Sequence, residues 1–406
     1  MRIIYLHQYF HTPDMHGSTR SYEMARRLVA YGHDVQMVTS DPGLSRSRFG
    51  RWTKSIEAGI NVHWLGLPYS NTMSYSQRVK AFIQFALSSG RKALSLGGDI
   101  VFATSTPLTI ALPAVFAAIG NRIPMVFEVR DLWPEIPIAL SALKDPFTKA
   151  LACWLEKFAY RNSKEVVALS PGMKEGIVRT GYPEHRISVI PNSCDFELFD
   201  IKPEEGQKLR KKHDWLGTRP MVIYTGTMGL VNGVDYLVQV ARYVREINSD
   251  VRFVVVGADS REKEKVAQCA EKMGLLNKNF YMMPPAPKRE IPAWLSAADI
   301  TTSTVIDVKE LWANSANKFF DSLAAARPIA INHRGWQADL IEHYDCGLVL
   351  DPNDTRASAI KLDRALRDRQ WLAKASVNAR CLGKKKFDRD QLSEKFEQIL
   401  ARCVMK

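Results

Sequence analysis

The sequence lacks any long uninterrupted apolar run, any pair of neighbouring cysteines, any internal repeat and any low-complexity tract. A membrane-spanning helix needs about 20 consecutive apolar residues, and the nearest approach, 108–127, is broken by prolines and by Asn121-Arg122. The apolar residues near the N-terminus, Ile3 to Leu6, are too few for a secretory signal core and no small-residue cleavage site follows, which predicts a cytoplasmic protein. Six cysteines stand far apart, with no CxxC and no histidine at ligand spacing; this argues against a metal site and fits a reducing compartment. GxGxxG and GKS/GKT are also missing, which weakens ordinary NAD and ATP binding. No RNP, zinc-finger or helix-turn-helix signature points to nucleic acid.

What is present is a chain of 406 residues, beyond the size at which one hydrophobic core stops growing, so two cores are expected. With 46% hydrophobic and 24% charged residues it has the composition of a folded globular protein. The net charge of +13 is spread over both halves and suits anionic partners: nucleotide phosphates, acidic lipid surfaces or nucleic acid.

Periodicity supplies the fold class. Residues 2–8 read as a buried strand, 18–32 as a helix through Tyr22, Ala25, Leu28 and Val29, and 34–39 as a second strand, a βαβ unit for a parallel sheet. The same grammar continues through strands at 100–104, 125–129 and 165–169. A polar stretch at 200–219 reads as a linker. A second series then begins: strand 222–224, helix 234–247, strand 251–256, strand 280–283, helix 291–297, strand 300–303, helix 317–326 and strand 328–332. The expectation is α/β with two doubly wound Rossmann-like domains, 1–200 and 201–384, and a final charged helix at about 385–406 packing back on the first domain.

In such sheets ligands bind beyond the carboxyl ends of strands. Gly17 follows the first strand, Gly226 and Gly229 the first strand of the second half, and Gly257 the strand after it. Each glycine taken singly is better explained as a turn residue than as a ligand contact. Together with their neighbours they form an ordered series: GHDV at 32–35, ALSPGM at 168–173, PNSCD at 191–195, YTGTMG at 224–229, VVVGADSRE at 254–262, AAD at 297–299 and NSANKFFDSLAAARPI at 314–329. In order and spacing the series resembles the family 4 glycosyltransferases of the GT-B fold, in particular bacterial enzymes of surface-polysaccharide and O-antigen assembly. The resemblance implies two domains facing across a cleft and transfer with retention from a nucleoside-diphosphate sugar, without a bound metal or a permanent cofactor. It also implies donor binding by the second domain and acceptor binding by the first.

The donor-binding segment has a physical logic of its own. Asn317, Lys318 and Asp321 fall near one face of the first turn and a half of a helix. The helix N-terminus and Lys318 can hold a diphosphate, Asp321 can accept hydrogen bonds from both ribose hydroxyls, and Ser315, Gly226, Thr227 and Gly257 complete the donor set. A capped helix with a solvated lysine is the plainer alternative. The family pattern has two glutamates with seven residues between them where this chain has Ala313 and Asp321, and an arginine and a lysine where it has Thr227 and Asn232. Lys318 is thereby expected to carry more of the phosphate charge.

In the first half FEVRDLWPE at 127–135 joins a strand to a polar cluster. Many relatives have histidine where Arg130 falls. Arginine stays protonated and cannot be a base, so Asp131 is expected to orient or deprotonate the acceptor hydroxyl, with Arg130 on a phosphate and Glu135 in support. A structural Arg–Asp pair is the alternative. His7, His11 and His16 cluster without a carboxylate interleaved at ligand spacing, so His11 and His16 are read as acceptor contacts rather than metal ligands.

The stretch 45–92 mixes Arg46, Arg48, Arg51 and Lys54 with an apolar-basic segment from Met73 to Lys92. It fits either an amphipathic helix on an anionic membrane or a core helix with a basic edge. On the first reading the protein is peripheral on the inner face of the cell membrane and its acceptor is a saccharide linked to polyprenyl diphosphate. The reading as a whole is transfer from a UDP-hexosamine or UDP-deoxyhexosamine to a saccharide hydroxyl. A nucleotide-sugar epimerase of the same fold and a non-enzymatic nucleic-acid binder are the alternatives.

Overall fold

The computed structural model describes residues 1–405 apart from His16, Asn71, Thr72 and Asp259 and the side chain of Tyr75. The chain divides into two compact units: unit 1, Met1–Pro191 with Asp390–Lys406, and unit 2, Asn192–Arg389.

Unit 1 holds an eight-stranded sheet of β1 (Arg2–Leu6), β2 (Asp34–Asp41), β3 (Trp52–Glu57), β4 (Ile60–Gly66), β5 (Ile100–Thr104), β6 (Met125–Val129), β7 (Glu165–Ala168) and β8 (Ile187–Val189). Their spatial order is β3-β4-β2-β1-β5-β6-β7-β8. All neighbours are parallel except β3 and β4, a hairpin at one edge. Central strands are apolar along their whole length because both faces are covered; every residue of β5 and β6 is buried. On one face the helices Arg20–Ala30 and Arg389–Val404 insert Met24, Leu28, Phe396, Ile399 and Leu400 against Ile3, Tyr5 and Phe102. The rings of Phe102 and Phe396 stand edge to face at 4.7 Å.

The stretch 45–92 becomes two things, the β3–β4 hairpin and the helix Tyr75–Leu96, which Ser74 and Gln77 start with reciprocal capping hydrogen bonds. The hairpin escapes a periodicity reading because β3 is a half-exposed edge strand carrying Lys54 and Glu57, although Ile60, Val62 and Trp64 of β4 mark a core face. In the helix, Phe85 and Ala86 are buried and Phe82 half-buried, so this part of the segment is core.

Unit 2 holds six parallel strands, β9 (Met221–Thr225), β10 (Arg252–Val256), β11 (Phe280–Met283), β12 (Ile300–Ser303), β13 (Ile329–Ile331) and β14 (Gly347–Val349). The order β11-β10-β9-β12-β13-β14 is the 3-2-1-4-5-6 of a dinucleotide-binding sheet. Alternate side chains feed two cores: Val222, Tyr224, Phe253 and Val255 enter one, and Met221, Ile223, Val254 and Val256 the other. Residues 200–219 are more than a linker. They contain the helix Pro203–Lys211, and Arg210 from it pairs with Asp299 at 2.9 Å. Asp299, the last residue of AAD, also accepts from the backbone N–H of Met221 at 2.8 Å and so fixes the start of β9.

One buried ion pair ties unit 1 together. Arg20, on the first turn of its helix, donates to Glu128 on β6 at 2.8 Å and to the carbonyls of Ile190 and Pro191 at 2.8 and 2.6 Å. Thr104 on β5 donates to the other oxygen of Glu128 at 2.7 Å. Burial alone would raise the Glu128 carboxyl, but Arg20 and Arg130 outweigh it and hold the pKa below the ordinary 4.5. Removing one partner strands a buried charge, so Glu128→Gln is expected to cost unit 1 about 3–5 kcal/mol, read as a lower denaturant midpoint. Since the folded pKa is depressed, the pair contributes fully above pH 4.5 and its contribution disappears as the pH falls through the lower folded value. Acid titration of stability should accordingly show a drop in the wild type that is smaller in Glu128→Gln.

Candidate functional site

At the carboxyl edge of the unit 2 sheet, β9 runs into Gly226 and β10 into Gly257, side by side. Gly226 donates its N–H to the Val256 carbonyl at 2.9 Å, and a Cβ on Gly257 would stand 2.2 Å from the Gly226 oxygen. Gly226 sits at φ +131°, a conformation that favours glycine, and its missing side chain leaves room for Lys318: a Cβ there would lie 3.0 Å from Lys318 Cε. The Lys318 ammonium lies over the Tyr224 ring, 4.9 Å from its centroid, and no side chain or carbonyl hydrogen-bonds it among the described residues. Desolvation pulls its pKa down to about 8, opposed by Asp321. Thr227 is exposed beside it and gives its carbonyl to Tyr224 Oη at 2.7 Å.

Lys318 belongs to the helix Asn317–Ala324, whose buried side carries Phe319, Phe320 and Leu323. Phe320 and Phe319 pack in an aromatic cluster with Trp336 and Phe387, at centroid distances of 5.1 to 6.3 Å. The N-cap is Ala316, which offers no side-chain acceptor, so the helix start depends on other partners for its N–H groups. PNSCD brackets this helix. Asn192 donates its N–H to Ser315 Oγ at 3.2 Å and its amide to the Ser315 carbonyl at 2.5 Å; Cys194 Sγ reaches the Phe320 carbonyl. Ser193 and Asp195 in turn hold Arg389, with Asp195 at 2.5 Å. Ser315 therefore positions the helix start through Asn192.

Asp321 is buried, and its carboxylate takes Lys288 at 2.5 Å. Lys288 lies 5.1 Å over the Phe199 ring. The sequence reading missed Lys288: it sits in a short turn 33 residues away, and no periodicity links the two.

At the carboxyl edge of the unit 1 sheet the residues after β1, β5 and β6 converge. Arg130 donates to His7 Nε2 at 3.2 Å and to Ser18 Oγ at 3.1 Å, and its N–H reaches Ser105 Oγ at 2.9 Å. Burial and the Arg130 charge both push His7 and His11 below the ordinary imidazole value, so both rings are neutral at pH 7. Gly17 lies against the His11 ring, where a Cβ would come within 2.6 Å of Nδ1. His16 lies outside the described residues. Asp131 accepts from Thr106 Oγ1 at 3.4 Å; desolvation of its carboxylate at the strand end raises its pKa, opposed by Arg130 and Thr106. Glu135 points elsewhere: its carboxylate takes Arg179 through both oxygens, at 2.9 and 3.1 Å. No group of three His, Cys, Asp or Glu side chains is placed to hold a metal among the described residues.

Two family models divide the chain much as the sheets do: the Glycosyl transferase 4-like domain matches residues 17–193 and the Glycosyl transferases group 1 model matches 205–381. The chain belongs to the GT-B glycosyltransferases. This glycosyltransferase is 22% identical over 305 residues to the putative colanic acid biosynthesis glycosyl transferase WcaI of Escherichia coli K12, covering 68% of the chain and 70% of the relative. Its fold matches Anabaena Alr3699/HepE, crystallised with UDP and glucose, at a TM-score of 0.75 and 16% identity, over 99% of this chain and 100% of that one. It also matches the sucrose-phosphate synthase of Thermosynechococcus elongatus at 0.78 and 14%, over 99% and 98%. Among the described residues no helix of the glycosyltransferase is long and apolar enough to cross a membrane.

Gly257 tests the close approach of β9 and β10. A methyl group 2.2 Å from a backbone oxygen forces the strand ends apart, so Gly257→Ala is expected to destabilise unit 2 by about 1–3 kcal/mol. Chemical denaturation reads this, and an unchanged midpoint would contradict the packing described.

Proposed function

We propose that this glycosyltransferase moves a sugar, with retention at the anomeric carbon, from a UDP-linked hexosamine or deoxyhexosamine to a hydroxyl of a lipid-linked saccharide in surface-polysaccharide assembly. One observation carries the donor half: a half-buried lysine with no hydrogen-bonded acceptor among the described residues, Lys318, beside a helix start without a side-chain cap, at the end of β9 where the sheet order reverses. In this reading Lys318 and the first-turn N–H groups hold the diphosphate, and the Gly226 and Gly257 backbone lets it approach. Asp321, oriented by Lys288, accepts from the ribose. HepE, with UDP and with UDP-glucose, supports a uridine nucleotide; WcaI supports a polysaccharide acceptor.

Unit 1 takes the acceptor side. Asp131 receives or orients the proton of the attacking hydroxyl, Arg130 binds a phosphate, and His11, with His16, offers hydrogen bonds to sugar hydroxyls. Retention follows if the leaving diphosphate stays on the face of the ring that the hydroxyl attacks. Charge on the departing phosphate grows in the transition state, and in this reading Lys318 meets it.

Lys318→Ala is expected to weaken UDP binding about 100-fold, the worth of a charge-assisted contact of roughly 2–3 kcal/mol, measured by calorimetry. Because the free lysine titrates at about 8, wild-type affinity should fall as the pH rises through that value, while Lys318→Ala shows no such step. A pH-independent wild-type affinity would remove Lys318 from the phosphate. Asp131→Asn should leave UDP affinity unchanged and lower kcat about 100-fold or more; incubation with UDP-sugar alone, yielding no isomerised donor, separates transfer from epimerisation.

A further inference from the structure

The helices Tyr75–Leu96, Ala111–Asn121 and Pro146–Arg161 pack successively against one another. They belong to the crossovers β4 to β5, β5 to β6 and β6 to β7, all of which run in the same direction along the sheet. Right-handed connections therefore place all three on one face of unit 1, opposite the helices Arg20–Ala30 and Arg389–Val404. Gly90 lets them close up: a Cβ there would be 3.3 Å from the Phe116 ring.

Their outer surface is unlike the rest of the molecule. The first helix exposes Ile83 and Leu87, the second Leu112, Phe116 and Ile119, and the third Phe147, Leu151 and Trp154, each set at helical spacing. These are eight of the nineteen large hydrophobic side chains exposed among the described residues, and their exposures run from 39% to 75%. The first two helices contain no aspartate or glutamate, and the third has only Glu156, buried and bonded to Tyr160 at 3.1 Å. Lys80, Arg91, Lys157 and Arg161 are exposed on the same helices. Beside Ile119 opens a cavity of about 410 Å³ whose walls include Val115, Ala118, Arg122, Arg161 and Lys164.

We propose that unit 1 docks on an anionic lipid bilayer through this three-helix face, with the apolar stripes in the interfacial region and a lipid phosphate seated among Arg122, Arg161 and Lys164. An apolar surface whose one exposed carboxylate among the described residues of these helices and their caps is Asp145, at the end of the third helix, and which is rimmed by cations, matches the boundary between acyl chains and anionic headgroups. A second copy of the chain fits less well, since a self-complementary contact sets the same cations against each other. The face differs from the segment 45–92 marked by the sequence, of which it uses only the outer side of one helix. The inference does not depend on the donor reading.

Sedimentation of the full chain with vesicles tests it, using about one-third phosphatidylglycerol in phosphatidylcholine against phosphatidylcholine alone. Binding is expected to the anionic vesicles, released at about 1 M salt. Two variants, Ile83→Ser/Phe116→Ser/Trp154→Ser and Arg122→Ala/Arg161→Ala, should each weaken it about tenfold or more, with unchanged thermal melting and unchanged UDP affinity. No binding to either vesicle, or equal binding to both, overturns the proposal. So does a dimer in size-exclusion chromatography that the triple variant abolishes, because the face is then a contact between copies. UDP affinity in the same samples reports on the donor site separately.

Discussion

In each sheet the crossovers return the chain to the same edge, so every parallel strand ends beside its neighbours and the segments that follow are gathered there. This parallel pairing places Gly226 beside Gly257 in unit 2, and His7, Ser105 and Arg130 within hydrogen-bonding reach in unit 1. None of these sets is contiguous in the chain. Their meeting depends on the register of strands whose residues are buried on both faces, where a one-residue slip would send every side chain into the packing of the opposite face.

The two edges are stiffened differently. In unit 1 a buried charge pair, Arg20 with Glu128, joins a helix to the strand that ends in Arg130, and the same arginine holds the chain at Ile190 and Pro191. In unit 2 the helix Asn317–Ala324 is held from below by the aromatic cluster around Phe320 and from the side by Asn192 and Cys194. That leaves its first turn and Lys318 to face the glycines at the strand ends. PNSCD thus serves as a bracket for the helix start, a use that its composition alone does not reveal.

Much of the scaffold was legible. The strands at 280–283 and 300–303 and the helix 291–297 appear with the bounds that periodicity suggests, because fully buried strands and amphipathic helices have strong apolar signatures. The β3–β4 hairpin was not legible, since an edge strand open to solvent carries charge without penalty and loses the pattern. The helix at 203–211 was hidden for the same reason: it buries little besides Gly206 and reads as a polar linker. Among the site residues, the nearness of Lys318 to Asp321 followed from helical spacing. The partners Lys288 for Asp321, Tyr224 for Lys318 and Arg179 for Glu135 did not, because each comes from a different element.

The sequence by itself determined the α/β class, the doubling of the architecture and the family, through apolar periodicity and ordered short motifs whose meaning is local. Only the tertiary structure decided which charges face each other and which are left facing outward. Glu135 is drawn to Arg179, Asp321 to Lys288, and eight apolar side chains on three separate helices merge into one surface. The reason is that electrostatic and apolar contacts act over a few ångströms in space, and a linear chain carries no measure of that distance until the sheets have closed.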